Sequence, residues 1–446
     1  MFIVRNKKIY IETYGCQMNF SDSEIVASIL SDDGFESTVE ISEADLILIN
    51  TCSIRDNAEQ RVLRRLKNLQ SLKKKRPGLI IGLLGCMAER LKEELLEKEL
   101  VLDLVAGPDV YRDLPKLISR IGTGQKAINT LLSEEETYAD ITPVRYDSNG
   151  ISAFISIMRG CENYCAYCVV PYVRGIERSR EDASIIREAT VLFESGYREI
   201  TLLGQNVNSY SWVDKDNHTT GFAGLLDRVA GISPLLRIRF STSHPKDISD
   251  DLLQTIARHP NICRSIHLPV QSGSSRILDK MNRGYTRGQY LERVAAIHRF
   301  VPDCAVSTDI IAGFCSETED DHKETLSLMK AVGFDYAFMF MYSERPDTLA
   351  AEKYPDDVPV EDKERRLKEV IDLQQALSYQ SNERNKGKVF EVLIEGFSKR
   401  SKEHFSGRNS QNKVVVFPKT ENQPGDYLSV EIVNFTSATL IGKAIL

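Results

Sequence analysis

The stretch MRGCENYCAYCVVPYVRG, residues 158–175, contains three closely spaced cysteines, Cys161, Cys165 and Cys168, in the pattern Cys-x3-Cys-x2-Cys. It directly follows an apolar run, residues 153–158, that is typical of a strand. Three nearby thiolates suit a metal, but zinc prefers four ligands, usually as two cysteine pairs, and no second pair follows. An iron–sulfur cluster can be held by three cysteines, which leaves one iron open to a small ligand. The stretch therefore favours a cluster over zinc.

The same stretch opens a long alternation of strand and helix patterns that runs to about residue 342. The strand candidates are residues 153–158, 199–203, 236–240, 265–270, 306–311 and 336–341. Helical stretches separate them, such as residues 183–194 and 318–331, and a charged helix is expected at residues 360–384. Six such repeats predict a partial parallel (β/α)6 barrel, with its active site at the C-terminal ends of the strands.

A shorter alternation precedes the stretch. Its strand candidates are residues 8–14, 44–50, 79–84 and 102–106, and helical patterns follow at residues 21–30, 57–72, 87–96 and 114–121. Continuous apolar runs such as residues 44–50 are typical of buried parallel strands. The pattern predicts a doubly wound α/β domain at residues 1–121. Residues 122–149, with their glycines and an acidic run, predict a linker.

Three more cysteines, Cys16, Cys52 and Cys86, each follow one of these strand candidates and precede a helix. In a parallel sheet such positions meet at one edge, where ligands bind and helix N-termini favour thiolates. One buried cysteine at a strand end is usually a small apolar core residue, but three equivalent positions favour a second three-cysteine cluster. The remaining cysteines show no ligand spacing and are expected to be ordinary thiols: Cys263, Cys304 and Cys315.

The last segment, residues 383–446, has a different pattern. Short strand candidates at residues 388–395, 413–417, 427–433 and 439–445 predict a small all-β barrel. This segment has ten Lys and Arg against seven Asp and Glu, whereas the whole chain carries a net charge of −7. A basic unit on an acidic chain suggests a local anionic partner, although a solvated basic surface has the same composition.

The composition of the 446-residue chain, 42% hydrophobic and 27% charged, is ordinary for a globular protein. No uncharged apolar run approaches the ~20 residues that a membrane span needs, and the N-terminus lacks the pattern of a secretory signal. We therefore expect a cytoplasmic protein, in which clustered cysteines are more often ligands or catalysts than disulfides. The negative net charge argues against binding of nucleic acid through bulk charge.

The spacing of Cys161, Cys165 and Cys168 after the first strand of a β/α barrel resembles the radical S-adenosylmethionine (SAM) superfamily. The resemblance implies a [4Fe–4S] cluster whose open iron binds the amino and carboxylate groups of SAM. Reductive cleavage of SAM would then produce a 5′-deoxyadenosyl radical. The aromatic residue before the third cysteine, Tyr167, matches the position that packs beside the adenine.

Polar residues after the other barrel strands fit a SAM pocket. Gln205 follows the second strand, Ser241 the third, Gln271 the fourth and Gly313 the fifth. Any one of them can equally well cap a loop. A glycine at the fifth position would let the backbone approach a ligand. His267 lies inside an apolar run and is expected to be a satisfied core histidine.

Two three-cysteine sets on two α/β domains, followed by a small β unit, resemble the methylthiotransferases over essentially the whole chain. That family has an auxiliary-cluster domain, a radical SAM domain and an RNA-binding TRAM domain, expected here at residues 1–121, 150–382 and 383–446. Seven motifs resemble its tRNA-modifying MiaB branch: GCQMN (15–19), NTCSIR (50–55), IMRG (157–160), LLGQNVNSY (202–210), STSHP (241–245), HLPVQSGS (267–274) and MNRGYTR (281–287). One departure is Cys315-Ser316, where relatives often have Pro-Gly.

This resemblance implies methylthiolation of C2 of N6-isopentenyladenosine at position 37 of tRNA. One SAM would methylate sulfur on an auxiliary [4Fe–4S] cluster held by Cys16, Cys52 and Cys86, and a second SAM would make the radical. The expected partners are tRNA carrying that nucleoside and an electron donor such as flavodoxin or ferredoxin. No membrane partner is expected, and since no oligomer signature is present, we expect a monomer.

Under this interpretation the C-terminal unit docks the tRNA stem while the barrel receives an extruded base. Basic side chains would contact phosphates and aromatic rings would stack on bases. The candidates are Lys386, Lys388, Lys399, Arg400, Lys402, Arg408 and Lys413, with Phe397 or Phe405.

Two other interpretations stay open at this point. The enzyme could act on another modified adenosine or on a ribosomal protein side chain. The branch of the family that modifies ribosomal proteins, however, typically has Pro-Lys where Gln17-Met18 stand here. The second interpretation is a non-enzymatic RNA-binding protein with structural zinc. The placement of six cysteines at strand ends argues against it.

Overall fold

The computed structural model describes residues 7–53, 56–92, 94–97, 101–122, 125–146 and 149–445. The N-terminal residues that bear on a secretory signal, and residues 54–55 of the NTCSIR motif, lie outside that range. The chain forms two compact units. The first comprises Met1–Asp147, Met158–Glu162 and Cys168–Ser184, and the second Ser148–Ile157, Asn163–Tyr167 and Ile185–Leu446. No helix within the described residues has the length and apolar character needed to cross a membrane.

The first unit is built on a parallel six-stranded sheet in the order β2-β1-β3-β4-β5-β6. Its strands are β1 (Lys7–Tyr14), β2 (Phe35–Ser37), β3 (Leu46–Thr51), β4 (Ile80–Gly85), β5 (Leu104–Ala106) and β6 (Ala127–Asn129). Its helices are α1 (Gln17–Asp32), α2 (Asp56–Lys75), α3 (Cys86–Leu91), α4 (Glu94–Glu97) and α5 (Leu114–Ile121). The predicted doubly wound sheet is confirmed.

The sheet is buried on both faces, which explains the continuous apolar runs. Along β3, Leu46 and Leu48 belong to the core that includes residues of α1 and α5. Ile47 and Ile49 belong to the opposite core, which includes residues of α2 and α3. Since successive side chains of a strand point to opposite faces, a sheet covered on both sides needs apolar residues at every position.

Two strands of this sheet, β2 and β6, were not predicted. Each has three residues, which is too short to show a recognisable period. β6 lies inside the predicted linker and pairs in parallel with β5. The interpretation of residues 122–149 as a plain linker is therefore wrong at this point, because part of that segment completes the sheet.

Beyond the sheet the chain alternates between the two units. β7 (Ser152–Ser156) belongs to the second unit, whereas β8 (Met158–Arg159), α6 (Val170–Arg174) and β9 (Arg178–Ser179) belong to the first. β8 and β9 pair in antiparallel orientation. The three-cysteine stretch thus begins on β8 and ends just after α6.

The second unit contains the predicted partial (β/α)6 barrel, formed by β7 and five further strands. They are β10 (Glu199–Leu203), β13 (Arg237–Ser241), β14 (Ser265–His267), β15 (Ala305–Ala312) and β16 (Tyr336–Met341); a small hairpin, β11 (Ser211–Val213) and β12 (Thr219–Gly221), follows β10. The parallel triplets β13-β10-β7 and β14-β15-β16 are joined by a bridge between Ile238 and Ile262. The helices are α7 (Asp182–Glu194), α8 (Phe222–Ala230), α9 (Asp250–Arg258), α10 (Ser275–Lys280), α11 (Arg287–Phe300), α12 (Glu319–Val332), α13 (Leu349–Lys353) and α14 (Val360–Glu383).

A closed five-stranded barrel ends the chain, as predicted, in the order β17-β18-β19-β21-β20. Its strands are β17 (Val389–Ser398), β18 (Ser401–Asn409), β19 (Val414–Pro418), β20 (Tyr427–Phe435) and β21 (Leu440–Ala444). β18 was not predicted, because its sequence SKEHFSGRN is mostly polar and only Phe405 joins the barrel core. Closure leaves no unpaired sheet edge.

The C-terminal barrel packs against the N-terminal ends of the (β/α)6 strands. Arg237, the first residue of β13, donates from Nη1 to the carbonyl of Arg408 at 2.7 Å. Arg239 Nη2 donates to the carbonyl of Asn409 at 2.9 Å, and the Tyr427 hydroxyl donates to the carbonyl of Arg198 at 3.0 Å. The C-terminal ends of the (β/α)6 strands, where the active site is expected, therefore lie at the end of the (β/α)6 barrel that is opposite to the C-terminal barrel.

Candidate active site

The first unit brings the ends of three cysteine-bearing strands side by side. β3 lies between β1 and β4, with Tyr14 opposite Thr51 and Thr51 opposite Gly85. Cys52 and Cys86 directly follow the two inner strands, and Cys16 precedes α1. Cys16 is exposed, whereas Cys52 and Cys86 are buried. The site is therefore a row of thiols that is open at one end.

The thiols of this row interact with one another. A hydrogen bond between Cys16 and Cys52 lowers the pKa of Cys16 to about 6, and the charge of Arg174 acts in the same direction. Burial raises the pKa of Cys86. Cys16 is thus poised as a thiolate near neutral pH, which is the form that binds a metal.

Two asparagines fix the backbone beneath the thiols. Asn19 Oδ1 accepts from the backbone N–H of Cys16 at 3.3 Å and lies 3.3 Å from the Cys16 sulfur. Asn19 Nδ2 donates to Asn50 Oδ1 and to the Thr51 carbonyl, both at 3.2 Å, and Asn50 Nδ2 donates to the Asn19 carbonyl at 2.9 Å. Gly85 (φ +85°) is needed here, because a Cβ would lie 2.4 Å from Asn50 Oδ1. Sequence reasoning missed both asparagines.

A buried arginine reaches the same row. Arg174, the last residue of α6, donates from Nε to the Cys86 sulfur at 3.3 Å and from Nη2 to Asp22 Oδ2 at 2.7 Å. Arg159 Nη1 donates to the other oxygen of Asp22 at 2.8 Å. Burial alone would raise the pKa of Asp22, but the two guanidinium groups lower it below its usual value. Asp22 is therefore a carboxylate that holds both arginines in place.

These groups belong to a larger set that we call the arginine–aspartate network: Asp22, Asp109, Arg159, Arg174 and Arg178. Each of the five is at most 7% exposed. Arg178 Nη1 donates to Asp109 Oδ2 at 2.8 Å, and Arg159 Nε lies 3.4 Å from Asp109 Oδ1. Three guanidinium groups face two carboxylates, so the network has a net charge of +1. It lies beside the cysteine row, because Arg174 contacts Cys86.

The first unit therefore fits an anionic cluster better than a single zinc ion. Three thiolates bound to a [4Fe–4S] core carry net negative charge, which the surplus arginine charge would stabilise. Among the described residues, the set Asp214, Asp216 and His218 alone has three ligand atoms within 4.8 Å of one another, and it is exposed. The three sulfurs of Cys16, Cys52 and Cys86 do not all lie within that distance of one another.

The Cys-x3-Cys-x2-Cys loop lies between β8 and α6. In the first unit, the N–H of Cys161 donates to the Gly175 carbonyl at 3.1 Å, and the Val170 N–H approaches the Cys168 sulfur at 3.5 Å. Gly160 (φ +77°) allows this return of the chain, since a Cβ there would lie 1.8 Å from the Ile176 carbonyl oxygen.

In the second unit, Cys165 and Tyr167 share a buried arginine that sequence reasoning missed. Arg283 Nη1 donates to the Cys165 sulfur at 3.2 Å and to the Tyr167 hydroxyl at 3.3 Å, while Nη2 donates to the Pro269 carbonyl at 2.7 Å. The available signal was its position in the MNRGYTR motif. Arg283 thus positions a ligand cysteine candidate and the aromatic residue expected beside adenine.

Several polar atoms at the C-terminal strand ends are buried without a partner among the described residues. They include the acceptors Gln205 Oε1, Asn206 Oδ1 and Ser243 Oγ, and the donor Asn208 Nδ2. His244 Nε2 is also unpaired; its Nδ1 accepts from the Lys246 N–H at 3.4 Å, so Nε2 carries the proton. Burial, with the charges of Arg283 and Lys246, lowers the pKa of His244 to about 2. Such atoms fit a polar ligand with hydroxyl, amino and carboxylate groups.

The remaining predicted pocket residues differ in their surroundings. Ser241 is half-buried at the end of β13, with its Oγ 3.1 Å from Thr242 Oγ1. Gln271 is buried at φ +72° and continues the sheet through a bridge to Ile310. At Gly313 (φ +75°) a Cβ would lie 2.3 Å from Lys363 Cγ, so a glycine is needed for Lys363 to pack there. His267 is half-buried and satisfied, with Nδ1 3.1 Å from Ser307 Oγ.

Two of the predicted RNA-contacting side chains are not available for that role. Lys413 Nζ donates to Ser381 Oγ at 2.6 Å and pairs with Asp335 at 2.9 Å, so it fastens the C-terminal barrel to the rest of the second unit. Phe405 is 1% exposed in the barrel core. Phe397 is 50% exposed, and Lys419 Nζ lies 5.4 Å from its ring centroid. Five predicted basic side chains are exposed: Lys386, Lys388, Lys399, Arg400 and Lys402.

Comparison with known families divides the chain into three matched segments. Residues 8–107 match an uncharacterized protein family, UPF0004; residues 155–329 match the radical SAM superfamily; and residues 383–445 match the TRAM domain. The first and last matches agree with the parallel sheet and the closed barrel.

Curated relatives match over nearly the full length. A tRNA-2-methylthio-N(6)-dimethylallyladenosine synthase from Amoebophilus asiaticus is 58% identical, covering 99% of this chain and 93% of the relative. A protein of the same name from Parabacteroides distasonis is 58% identical over 98% of this chain and 96% of its own length.

Among solved structures, the radical SAM methyltransferase TsrM from Kitasatospora setae gives a TM-score of 0.53 at 13% identity, covering 75% of this chain and 72% of its own. The cobalamin-dependent SAM radical enzyme OxsB gives 0.55 at 12% identity, over 83% of this chain and 56% of its own. At these identities the similarity is one of fold.

Proposed function

The chain belongs to the family of tRNA-2-methylthio-N(6)-dimethylallyladenosine synthases, and from that membership we propose that it methylthiolates C2 of N6-isopentenyladenosine at position 37 of tRNA. The proposal rests on one combined observation. The relatives are 58% identical to the chain over nearly its full length, and the chain has two sets of three cysteines at strand ends. The relatives are named as tRNA-modifying enzymes, which favours this substrate over a ribosomal protein.

The chemistry requires a radical enzyme. The C2–H bond of an adenine ring is not acidic, and no protein side chain is a strong enough base to remove that proton. When bound, SAM supplies both a methyl group and a 5′-deoxyadenosyl radical, and two [4Fe–4S] clusters supply the electron and carry the sulfur. The protein must hold these groups, orient the nucleoside and exclude competing acceptors.

The six cysteines divide between two tasks. Cys161, Cys165 and Cys168 hold the cluster that reduces SAM, and their spacing in one loop supports this role. Cys16, Cys52 and Cys86 hold the auxiliary cluster, which the aligned ends of β1, β3 and β4 and the surplus of buried arginine charge support.

SAM is bound at the C-terminal ends of the barrel strands. Tyr167, Gln205, Ser241 and Gln271 are the proposed contacts, and the unpaired atoms of Asn206, Ser243 and His244 add acceptors and a donor beside them. His244 stays neutral at physiological pH, so it donates a hydrogen bond without adding charge. Gly313 is proposed to contribute through its backbone, since the packing of Lys363 against it leaves no room for a side chain.

The C-terminal barrel docks the tRNA stem through Lys399, Arg400 and Lys402 near the exposed ring of Phe397. The enzyme acts in the cytoplasm, as a monomer, and receives its electron from a carrier such as flavodoxin or ferredoxin. The names of the relatives, which are tRNA-modifying enzymes, support this location.

Nucleoside mass spectrometry of bulk tRNA tests the proposal, using cells that have or lack this protein. We expect 2-methylthio-N6-isopentenyladenosine to disappear in its absence, with the unthiolated precursor accumulating. An unchanged level of the methylthio nucleoside would refute the proposed substrate and direct the search to other modified adenosines or ribosomal proteins.

A further inference from the structure

Arg174 is the one residue of the arginine–aspartate network that contacts a cysteine of the auxiliary set. Its guanidinium is 3% exposed and uses Nε for Cys86 and Nη2 for Asp22. The third nitrogen, Nη1, is buried and has no acceptor among the described residues. A buried charged donor without an acceptor costs free energy, and on Arg174, which also contacts Cys86, it is available to a group that is not part of the polypeptide.

The network itself cannot supply that acceptor. Both oxygens of Asp22 are engaged, one by Arg174 and the other by Arg159, and Asp109 is engaged by Arg178 and Arg159. The next carboxylate, Glu89, pairs through Oε1 with Lys92 at 3.7 Å, while its buried Oε2 accepts no hydrogen bond from any described residue, Arg174 included.

A buried water could accept from Nη1, but it would not neutralise the surplus positive charge of the network. An anion beside Cys86 would do both. The ligand expected next to these cysteines is a sulfur anion on the open iron, because the reaction inserts sulfur.

We propose that Arg174 binds the anionic sulfur ligand of the auxiliary site with Nη1 while it orients the Cys86 thiolate with Nε. This proposal rests on the proposed function, since it presumes a cluster at Cys16, Cys52 and Cys86. Arg174 is a positioning residue: it holds negative charge at the open iron and favours the reduced, more negative state of the cluster.

The test uses the full-length chain with Cys161, Cys165 and Cys168 all changed to Ala, so that only the auxiliary cluster is reconstituted. Arg174→Gln and Arg174→Lys are compared with Arg178→Gln in that background. Arg178 is a matched control because it is equally buried, pairs with Asp109 and also has one unpaired nitrogen, Nε, but contacts no cysteine. Hydrosulfide is the probe, titrated against the electron paramagnetic resonance spectrum of the reduced cluster.

We expect all variants to retain about four irons per chain. Arg174→Gln should weaken hydrosulfide binding at least tenfold and shift the cluster's midpoint potential to more negative values. Arg174→Lys, which keeps the charge but loses the forked geometry, should fall between that variant and the parent. Arg178→Gln removes the surplus charge of the network but no contact with a cysteine, so it should weaken hydrosulfide binding by no more than about threefold, which is far less than Arg174→Gln.

Equal affinities and potentials for Arg174→Gln and Arg178→Gln would overturn the proposal, because the arginine would then act only as a buried counter-charge. If Arg174→Gln fails to load iron, hydrosulfide affinity and midpoint potential are compared between Arg174→Lys and Arg178→Lys instead. Equal values for these two variants would likewise overturn the proposal. If the parent loads no iron at these cysteines, both the auxiliary site and this inference are refuted. If the cluster loads but its properties do not change when Arg174 is replaced, only this inference is refuted.

Discussion

Arg174 Nε lies 3.3 Å from the sulfur of Cys86, although 88 positions separate the two residues in the sequence. In the second unit Arg283 Nη1 lies 3.2 Å from the sulfur of Cys165, across 118 positions. Each cysteine set therefore has at least one member that accepts a hydrogen bond from a buried guanidinium. Hydrogen bonds and positive charge at cluster sulfurs tune the reduction potential, so both arginines are expected to influence electron transfer.

The first prediction concerns the two cysteine sets. Cys52→Ala should abolish formation of the methylthio nucleoside and lower the iron content from about eight to about four per chain. Cys304→Ala is the matched control, because Cys304 is also buried but lies outside both sets. Iron and sulfide analysis after anaerobic reconstitution, with nucleoside mass spectrometry, measures both effects. Full activity of the Cys52→Ala enzyme would contradict the auxiliary cluster.

The second prediction concerns the SAM pocket. Gln205→Leu removes the buried acceptor Oε1 at the end of β10. Loss of one hydrogen bond of ~1–3 kcal/mol should weaken SAM binding by roughly 5- to 150-fold. Equilibrium binding of SAM to the reconstituted protein measures the change. Gln254→Leu, at an exposed position on α9, should leave the affinity unchanged, and a similar loss in both variants would remove Gln205 from the pocket.

The third prediction concerns tRNA binding by the C-terminal barrel. Removing this barrel would also strip the hydrogen bonds of Arg237 and Arg239, so truncation confounds binding with folding. Replacing Lys399, Arg400 and Lys402 with Glu avoids this problem because all three are exposed. We expect weaker tRNA binding and a smaller salt dependence, by about one unit of log–log slope for each phosphate that is no longer neutralised.

Lys413→Met is the control for that experiment. Lys413 is fastened to Asp335 and Ser381, so its loss should lower the thermal unfolding temperature and leave the salt dependence of tRNA binding as it was. If the triple variant binds tRNA with unchanged affinity and salt dependence, these three side chains do not bind phosphates.

The fourth prediction concerns pH. Burial, together with Asp109 and against Lys92, raises the pKa of Glu89 from 4.5 to about 7. The folded state therefore binds a proton that the unfolded state has lost between these values, so this group's contribution to stability declines as pH rises from 4.5 to 7. Relative to Glu89→Gln, the cluster-free parent should lose urea resistance between about pH 5 and about pH 7.5. Glu135→Gln, at an exposed site, should show no such difference.

Much of the architecture could be predicted, because apolar runs and hydrophobic periodicity within short segments indicate the strands and helices. β10 and β16 occur with the predicted bounds, since each is an apolar run of ordinary strand length between clear turns. β2, β6 and β18 were missed, because two are very short and the third is polar along most of its length. Their pairing partners, not their own residues, make them strands.

For the candidate site the division is similar. The sequence alone determined the two cysteine sets and their strand-end positions, because hydrophobic periodicity and motif spacing act within a few residues. Only the tertiary structure decided which polar groups surround them: Asp22 and Arg174 are brought together across 152 positions, and Lys413 and Phe405 are turned away from solvent. Buried charges are stable only with partners at the right distance, and those partners are chosen by packing between segments that are remote in the chain.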